Sequence, residues 1–233
     1  MNHVCCLRPC LLLLTTMLML ASSANADAAK VVRNGSRDEK KVAITMDDCY
    51  NRIHIASAVA LCQQYGVPIT FFPIGKALKY ADRPLWQSAL NAGCEIGNHT
   101  WGHKTLTYLS VGEIRFQMLQ IQEKADAMMG YHYPMQVMRP PAGKTNSKVL
   151  QAIGKTGYSY AVKWDVSQTD LKRIQKEIQN GSILLFHGRQ KDIKCLEQLI
   201  PWLLEQDYEC VTVSELLEME SVATSTNLFI YNQ

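Results

Sequence analysis

The sequence predicts an α/β fold, helices packed against a parallel sheet, and three observations carry that prediction. Apolar strand-like runs alternate with helix-like runs from about residue 42 to residue 213, the pattern of right-handed β/α units. The composition, 47% hydrophobic and 19% charged over 233 residues, suits one domain with a sizeable core. Polar residues suited to chemistry follow directly on the strand-like runs, at the carboxyl ends where parallel β/α folds build their sites.

Taken in order, the first strand is predicted over Val42–Thr45 and a helix over Ile53–Tyr65. A second strand covers Pro68–Phe72, with a helix around Pro84–Ala92, and a third covers Cys94–Gly97 before a long amphipathic helix over Val111–Met129. Met135–Met138 reads as the next strand, followed by a helix near Ser147–Thr156 and a strand over Tyr158–Lys163. A helix over Leu171–Gln179, a strand over Ser182–Phe186, a helix over Asp192–Glu205 and a strand over Cys210–Val213 complete the series. About seven such units in roughly 175 residues leave a small barrel or an open doubly wound sheet.

The two ends read differently. Arg8 precedes the apolar stretch Cys10–Ala21, and Ala24-Asn25-Ala26 supplies a small-residue cleavage pattern, so residues 1–26 are expected to be a secretory signal peptide. That stretch is shorter than the roughly 20 residues that span a bilayer, so no stable membrane span is expected. The expectation is an exported chain, secreted, periplasmic or associated with the cell envelope, with a polar tether over 27–40, a domain over 41–215 and a tail over 216–233. A formal net charge of +3 with dispersed basic residues offers neither a nucleic-acid footprint nor a polybasic membrane patch. Past the signal, five of the eight cysteines remain, Cys49, Cys62, Cys94, Cys195 and Cys210, with no CxxC pair among them. They read as buried thiols or as one or two bridges.

The rim residues are specific in kind. Asp47 and Asp48 end the first strand, and two neighbouring carboxylates repel unless something compensates. His99 and His103 follow the third strand four residues apart, and with Asp48 they make a two-histidine, one-carboxylate set suited to Zn²⁺, with positions open for water and substrate. A cation on Asp48 would leave Asp47 ionised as a general base for water at the metal. Arg139 could hold Asp47 through a charge-assisted pair, and a structural ion pair is the plainer reading. His187, at the end of the ILLF strand, is the opposing general acid, with Asp170 to orient and tune its ring. His54 and His132 read as structural. The same ligand set on its own would also suit an Fe(II) oxygenase, which Asp47, His187 and the β/α pattern disfavour.

These residues in this order resemble the NodB-homology polysaccharide deacetylases, carbohydrate esterase family four, from about Lys41 to Val213. The family pattern TFDDG stands here as TMDDC, HTxxH as HTWGH and RxPYG as RPPAG. DxxDW stands as SQTDL, and the LxH pattern, usually followed by Asp, as LFHG. The connecting stretches GVPITFFPIG and AGCEIGNHTWGH are similar to the family as well.

The resemblance implies a distorted (β/α)₇ barrel and a divalent metal, zinc first with cobalt, nickel or manganese as alternatives. It implies that Asp48, His99 and His103 bind that metal, Asp47 is the base, Arg139 orients it, and Asp170 tunes the acid His187. Ala142, through its backbone N–H, with Pro141 and Leu185, would line the oxyanion and substrate side. The implied substrate is an acetylated polysaccharide, peptidoglycan or a chitin-like N-acetylglucosamine polymer, cut to acetate and a free amine. An O-acetyl esterase or a noncatalytic carbohydrate-binding relative are the alternatives. The departures are Cys49 for Gly, Ala142 for Tyr, Ser167 for an acid, Leu171 for Trp and Gly188 for Asp. They mark a divergent member.

Overall fold

The computed structural model describes residues 27–221, and the expected signal peptide lies outside them. The strands are β1 (Lys30–Val32), β2 (Lys41–Asp48), β3 (Thr70–Pro73), β4 (Glu95–Ile96), β5 (Tyr160–Val162), β6 (Ile183–Phe186) and β7 (Glu209–Cys210). The helices are α1 (Arg52–Tyr65), α2 (Arg83–Asn91), α3 (Val111–Met129), α4 (Ser147–Gly154), α5 (Leu171–Glu177), α6 (Gln190–Glu205) and α7 (Val213–Leu216).

Strand β2 is the centre of the sheet. Residues Val42 to Asp47 are all buried, the continuous run expected of a parallel strand covered on both faces. Strands pair in parallel in the order β4-β3-β2-β6, with β7 on the early part of β2 and β1 on β5. Parallel single-residue bridges carry the pairing round: Asn98 with Met138, Met138 with Ala161, and Val166 with Leu184. The circuit therefore returns from β4 through β5 to β6, a distorted α/β barrel whose far side is held by bridges rather than by long ladders. Every named β-ladder is parallel, which places the strand ends that follow β2, β4 and β6 on one rim.

Local sequence explains how tightly the first loop is held. Asn51 caps α1 by accepting from the backbone N–H groups of Ile53 and His54, so the chain turns into a helix four residues after Asp48. A capping box between Ser110 and Glu113 starts α3 in the same manner. Gly97 is required by packing, because a Cβ there would lie 2.6 Å from the Phe72 ring.

Four expectations change. Residues 27–40 are not simply a tether, since Val31 and Val32 lie in β1 and pair with Ala161 and Val162. Met135–Met138 does not form a strand beyond the bridges at Met138; Pro134 before it and Pro140 and Pro141 after it lack the N–H groups a ladder needs. The last strand stops at Cys210, because Thr212 caps α7 through the Glu215 N–H. The tail expected from residue 216 starts inside the fold, since Leu216 is 5% exposed. The five cysteines are free thiols, and all but the half-buried Cys210 are buried.

Candidate active site

Period-two geometry on β2 points Thr45 and Asp47 to one face, and both meet the same guanidinium. Arg139 Nη1 donates to Asp47 Oδ1 and to Thr45 Oγ1, each at 2.7 Å, while its Nη2 donates to the Lys163 carbonyl at 3.1 Å. Thr45 passes the chain on by donating to the Leu184 carbonyl at 2.7 Å. Arg139 is fully buried, with its guanidinium carbon 4.3 Å from the Phe72 ring centroid and 5.7 Å from that of Trp164. Burial draws the guanidinium below its ordinary pKa, and the pair with Asp47 works in the other direction.

Asp48 turns the opposite way. At φ 66° its backbone has entered the left-handed region, and its Oδ1 lies 3.7 Å from His99 Nε2 and 3.4 Å from His103 Nε2. One ligand atom from each of Asp48, His99 and His103 lies within 4.8 Å of the others. His99 Nδ1 meets the Arg139 carbonyl at 2.7 Å, and because a carbonyl only accepts, the ring carries its proton there and presents a bare Nε2. Burial pulls His99 below the ordinary imidazole range, towards the neutral form a cation requires. Asp48 Oδ1 is buried without a hydrogen-bond partner. An orphaned buried carboxylate oxygen beside two imidazole nitrogens fits a divalent ion, and it is costly without one. Asp47 Oδ2 borders the same point, 3.6 Å from His99 Nε2.

The backbone around this centre is held in a rare conformation. Of the seven non-glycine residues with positive φ among the described residues, five are Asp48, Cys49, Thr100, His103 and Ala142, at the strand ends and turns around the site. Asn98 supports the histidine loop by accepting from the Thr100 N–H at 2.9 Å and donating to the Met118 carbonyl and the Tyr158 hydroxyl. Ala142 is exposed at φ 54° between the buried Pro141 and Gly143, and Leu185 is 4% exposed on β6. Cys49 is not placed as a soft ligand: its thiol donates to the Met46 carbonyl at 3.6 Å, and burial, with the charges of Asp47 and Asp48, pushes it well above the usual range.

The opposite flank is built otherwise. His187 is half-buried; its backbone N–H donates to Asp192 Oδ2 at 3.1 Å, and its Nδ1 faces Arg189 Nη2 at 3.1 Å. Asp170, expected to tune His187, is exposed and caps α5 by accepting from the Arg173 N–H at 3.0 Å; among the described residues no hydrogen bond or ion pair joins it to His187. A groove of about 530 Å³ joins the two flanks, lined by Asp48, Tyr50, Asn51, His54, His187 and Gly188 with Arg189 and Gln190. His54 is part of it: its Nδ1 lies 2.7 Å from the Gly188 carbonyl and ties α1 to the loop after β6.

Sequence reading therefore missed Thr45, His54, Arg189 and Asp192. Thr45 could have been found two residues before Asp47 on the same strand face, and Asp192 three residues after Arg189 in the capping spacing of a helix start. His54 and Arg189 carry no such pattern.

With fold and site in place, comparison with known proteins is direct. The model of the polysaccharide deacetylase family matches residues 34–161, more than half of the chain, and the chain belongs to that family. It is 28% identical over 193 residues to the peptidoglycan-N-acetylmuramic acid deacetylase PdaC of Bacillus subtilis, covering 78% of this chain and 40% of that protein. It is 29% identical over 194 residues to a peptidoglycan-N-acetylglucosamine deacetylase of Bacillus cereus, covering 77% of this chain and 89% of the relative. The chain spans about 40% of the length of the first curated relatives it matches. Among solved structures, a family 4 carbohydrate esterase pseudoenzyme from Bacillus anthracis superposes with a TM-score of 0.75 at 23% identity, covering 85% of this chain and 72% of that one. The PdaC structure superposes with a TM-score of 0.67 at 27% identity, covering 78% and 91%. Among the described residues no helix is long and apolar enough to cross a membrane.

Proposed function

We propose that this protein is a metal-dependent hydrolase that removes N-acetyl groups from an envelope or extracellular glycan. The supporting observation is the division of the two adjacent carboxylates, Asp47 bound to Arg139 and Asp48 turned to His99 and His103. Asp48, His99 and His103 would hold the ion, zinc by donor chemistry. Bound there, a divalent ion supplies acidity to a water and polarises the acetyl carbonyl.

Asp47 takes the proton of the attacking water, with Arg139 fixing one of its oxygens and leaving the other towards the histidines. The backbone N–H of Ala142 takes the charge that develops on the acetyl oxygen. His187 gives a proton to the departing nitrogen as the C–N bond breaks, so one amide and one water become acetate and a free amino sugar. Export to the envelope, through the signal expected over 1–26, brings the protein to such a substrate.

The test is acetate release from N-acetylglucosamine oligomers and peptidoglycan fragments by purified protein, stripped with chelator and reloaded with Zn²⁺. Release that follows the metal supports the reading. A second reading, glycan binding without turnover, is favoured by one observation: Asp170 does not reach His187, so the acid lacks its expected partner. Binding of these glycans with no acetate released under any metal would establish that reading instead.

A further inference from the structure

The loop that carries His187 is held from two sides. Asp192, on α6, accepts from the backbone N–H groups of His187 and Arg189 at 3.1 and 2.9 Å. Between those two residues the Gly188 carbonyl meets His54 Nδ1, on α1, at 2.7 Å. A carbonyl only accepts, so the His54 ring carries its proton at Nδ1 and donates it there. His54 is fixed in turn, because its own backbone N–H donates to Asn51 Oδ1 at 3.3 Å, in the cap that starts α1 just after Asp48. His54 and His187 are both half-buried and line the same groove. Gly188 suits the contact. Its φ is 64°, and a Cβ there would lie 3.1 Å from Met46 Sδ, so the Asp of the family pattern would be strained and crowded in this conformation.

We propose that His54 is a positioning residue for His187: by holding the Gly188 peptide it fixes the general acid relative to the metal ligand Asp48. The inference rests on the deacetylase reading above. Asp170, expected to steady the acid, is spent on the cap of α5. Arg189 meets the His187 ring from a side chain 55% exposed, and a contact so open to solvent restrains little. The His54 bond instead acts on the backbone next to His187, and it runs from the helix that follows Asp48 to the loop that follows β6, so it joins the metal side of the groove to the acid side. Displacing a reacting group by about 1 Å costs about 10²-fold in rate, so a bond that sets this separation acts on kcat without touching the substrate. The pairing of His54 with Gly188 is then this chain's own replacement for the missing Asp170 contact.

The experiment compares two variants of the zinc-loaded protein. His54→Phe keeps a ring of similar size and removes the donor, whereas His54→Asn keeps an N–H donor at the same distance along the side chain as Nδ1. On N-acetylglucosamine oligomers and peptidoglycan fragments, His54→Phe should lower kcat about tenfold or more, with KM within about twofold and zinc content unchanged. His54→Asn should return kcat to within about threefold of the unmodified protein. A kcat in His54→Phe within about threefold of the unmodified protein, whatever happens to its Tm, overturns the proposal and leaves His54 a structural tie. So does a loss carried by KM, which would make His54 a substrate contact, and so does loss of zinc or a failure of His54→Asn to rescue. Should the unmodified protein release no acetate from any glycan, the deacetylase reading fails by itself, and the positioning role is read by NMR on the ring-labelled protein. The His187 ring signal should then move in His54→Phe and return in His54→Asn; a signal that stays in place in His54→Phe rejects the role. His54→Phe that does not fold leaves His54→Asn and His54→Gln as the pair, since the Gln amide lies one bond too far out for the Gly188 carbonyl and should show the loss instead.

Discussion

The two flanks of the groove sit on one barrel rim and are built by opposite means. On the metal side, Asp47, Arg139, Thr45 and His99 are buried, and each polar group is fixed by another that is itself fixed. On the acid side, His187 is half-buried and is held by its own backbone N–H and by an exposed arginine. The first arrangement makes geometry rigid at the cost of desolvating charges, which mutual pairing offsets and a cation on Asp48 would offset further. The second leaves the ring open to solvent and to whatever binds the groove. The expected base and ligands therefore sit mostly where the structure is buried, and the expected acid where it is open; of this chain's departures, Gly188 adjoins the acid and Cys49 is buried beside the two carboxylates.

The sharpest way to break that comparison is inside the rigid flank. Asp47→Asn keeps the hydrogen-bonding shape beside Arg139 and removes the base, so turnover should fall roughly 10²–10⁴-fold with zinc still bound. His103→Ala should lose the metal and turnover together. Zinc content and acetate release measured on both variants give the answer, and equal metal loss in the two would mean the carboxylates are not divided as described.

Arg139→Ala should be the largest single loss of fold stability, about 3–5 kcal/mol, because it leaves Asp47 buried and unpaired and empties a fully buried volume. Denaturant unfolding measures it. A cost under about 1 kcal/mol would show that the rigid flank is not held by this pair.

On the open flank two acids can be set against each other. Asp192 is fully buried and accepts from the backbone N–H groups of His187 and Arg189, so Asp192→Ala should destabilise by roughly 2–3 kcal/mol and lower kcat by displacing His187. Asp170→Ala should cost about 1 kcal/mol, the loss of a helix cap, with the pH–rate profile unchanged. A shifted acidic or basic limb in Asp170→Ala would restore Asp170 as the partner of His187.

Most of the architecture was legible because it follows from local rules. Alternating periodicity located every strand of the main sheet and every helix except α7, and the strand-end rule gathered Asp47, Asp48, His99, Arg139 and His187 on one rim. The misses share a physical cause. Strand β1 is short and finds its partner 130 residues away, at β5, so no local signal marks it. The Arg139–Thr45 bond and the His54–Gly188 contact likewise join distant segments through side-chain reach that spacing does not encode. Asp170 was placed by its position after a strand-like run and in the motif, and the structure spends that carboxylate on the Arg173 N–H.

Cys49 is the smallest effect and the most informative departure in the rigid flank. Its φ of 58° explains why the family pattern has glycine there, since an L side chain in the left-handed region is strained by about 1–2 kcal/mol. The thiol offsets part of that cost by its burial, 3% exposed, and by its contact with the Met46 carbonyl. Cys49→Gly should therefore leave stability within about 1 kcal/mol and turnover within about threefold, because strain relieved and packing lost nearly cancel. Cys49→Val keeps the bulk but puts a β-branched side chain at positive φ, and should be the worse of the two by 1 kcal/mol or more. Thermal unfolding and zinc titration of both variants test the account. A loss of zinc affinity beyond about tenfold in Cys49→Gly would mean the sulfur touches the metal after all.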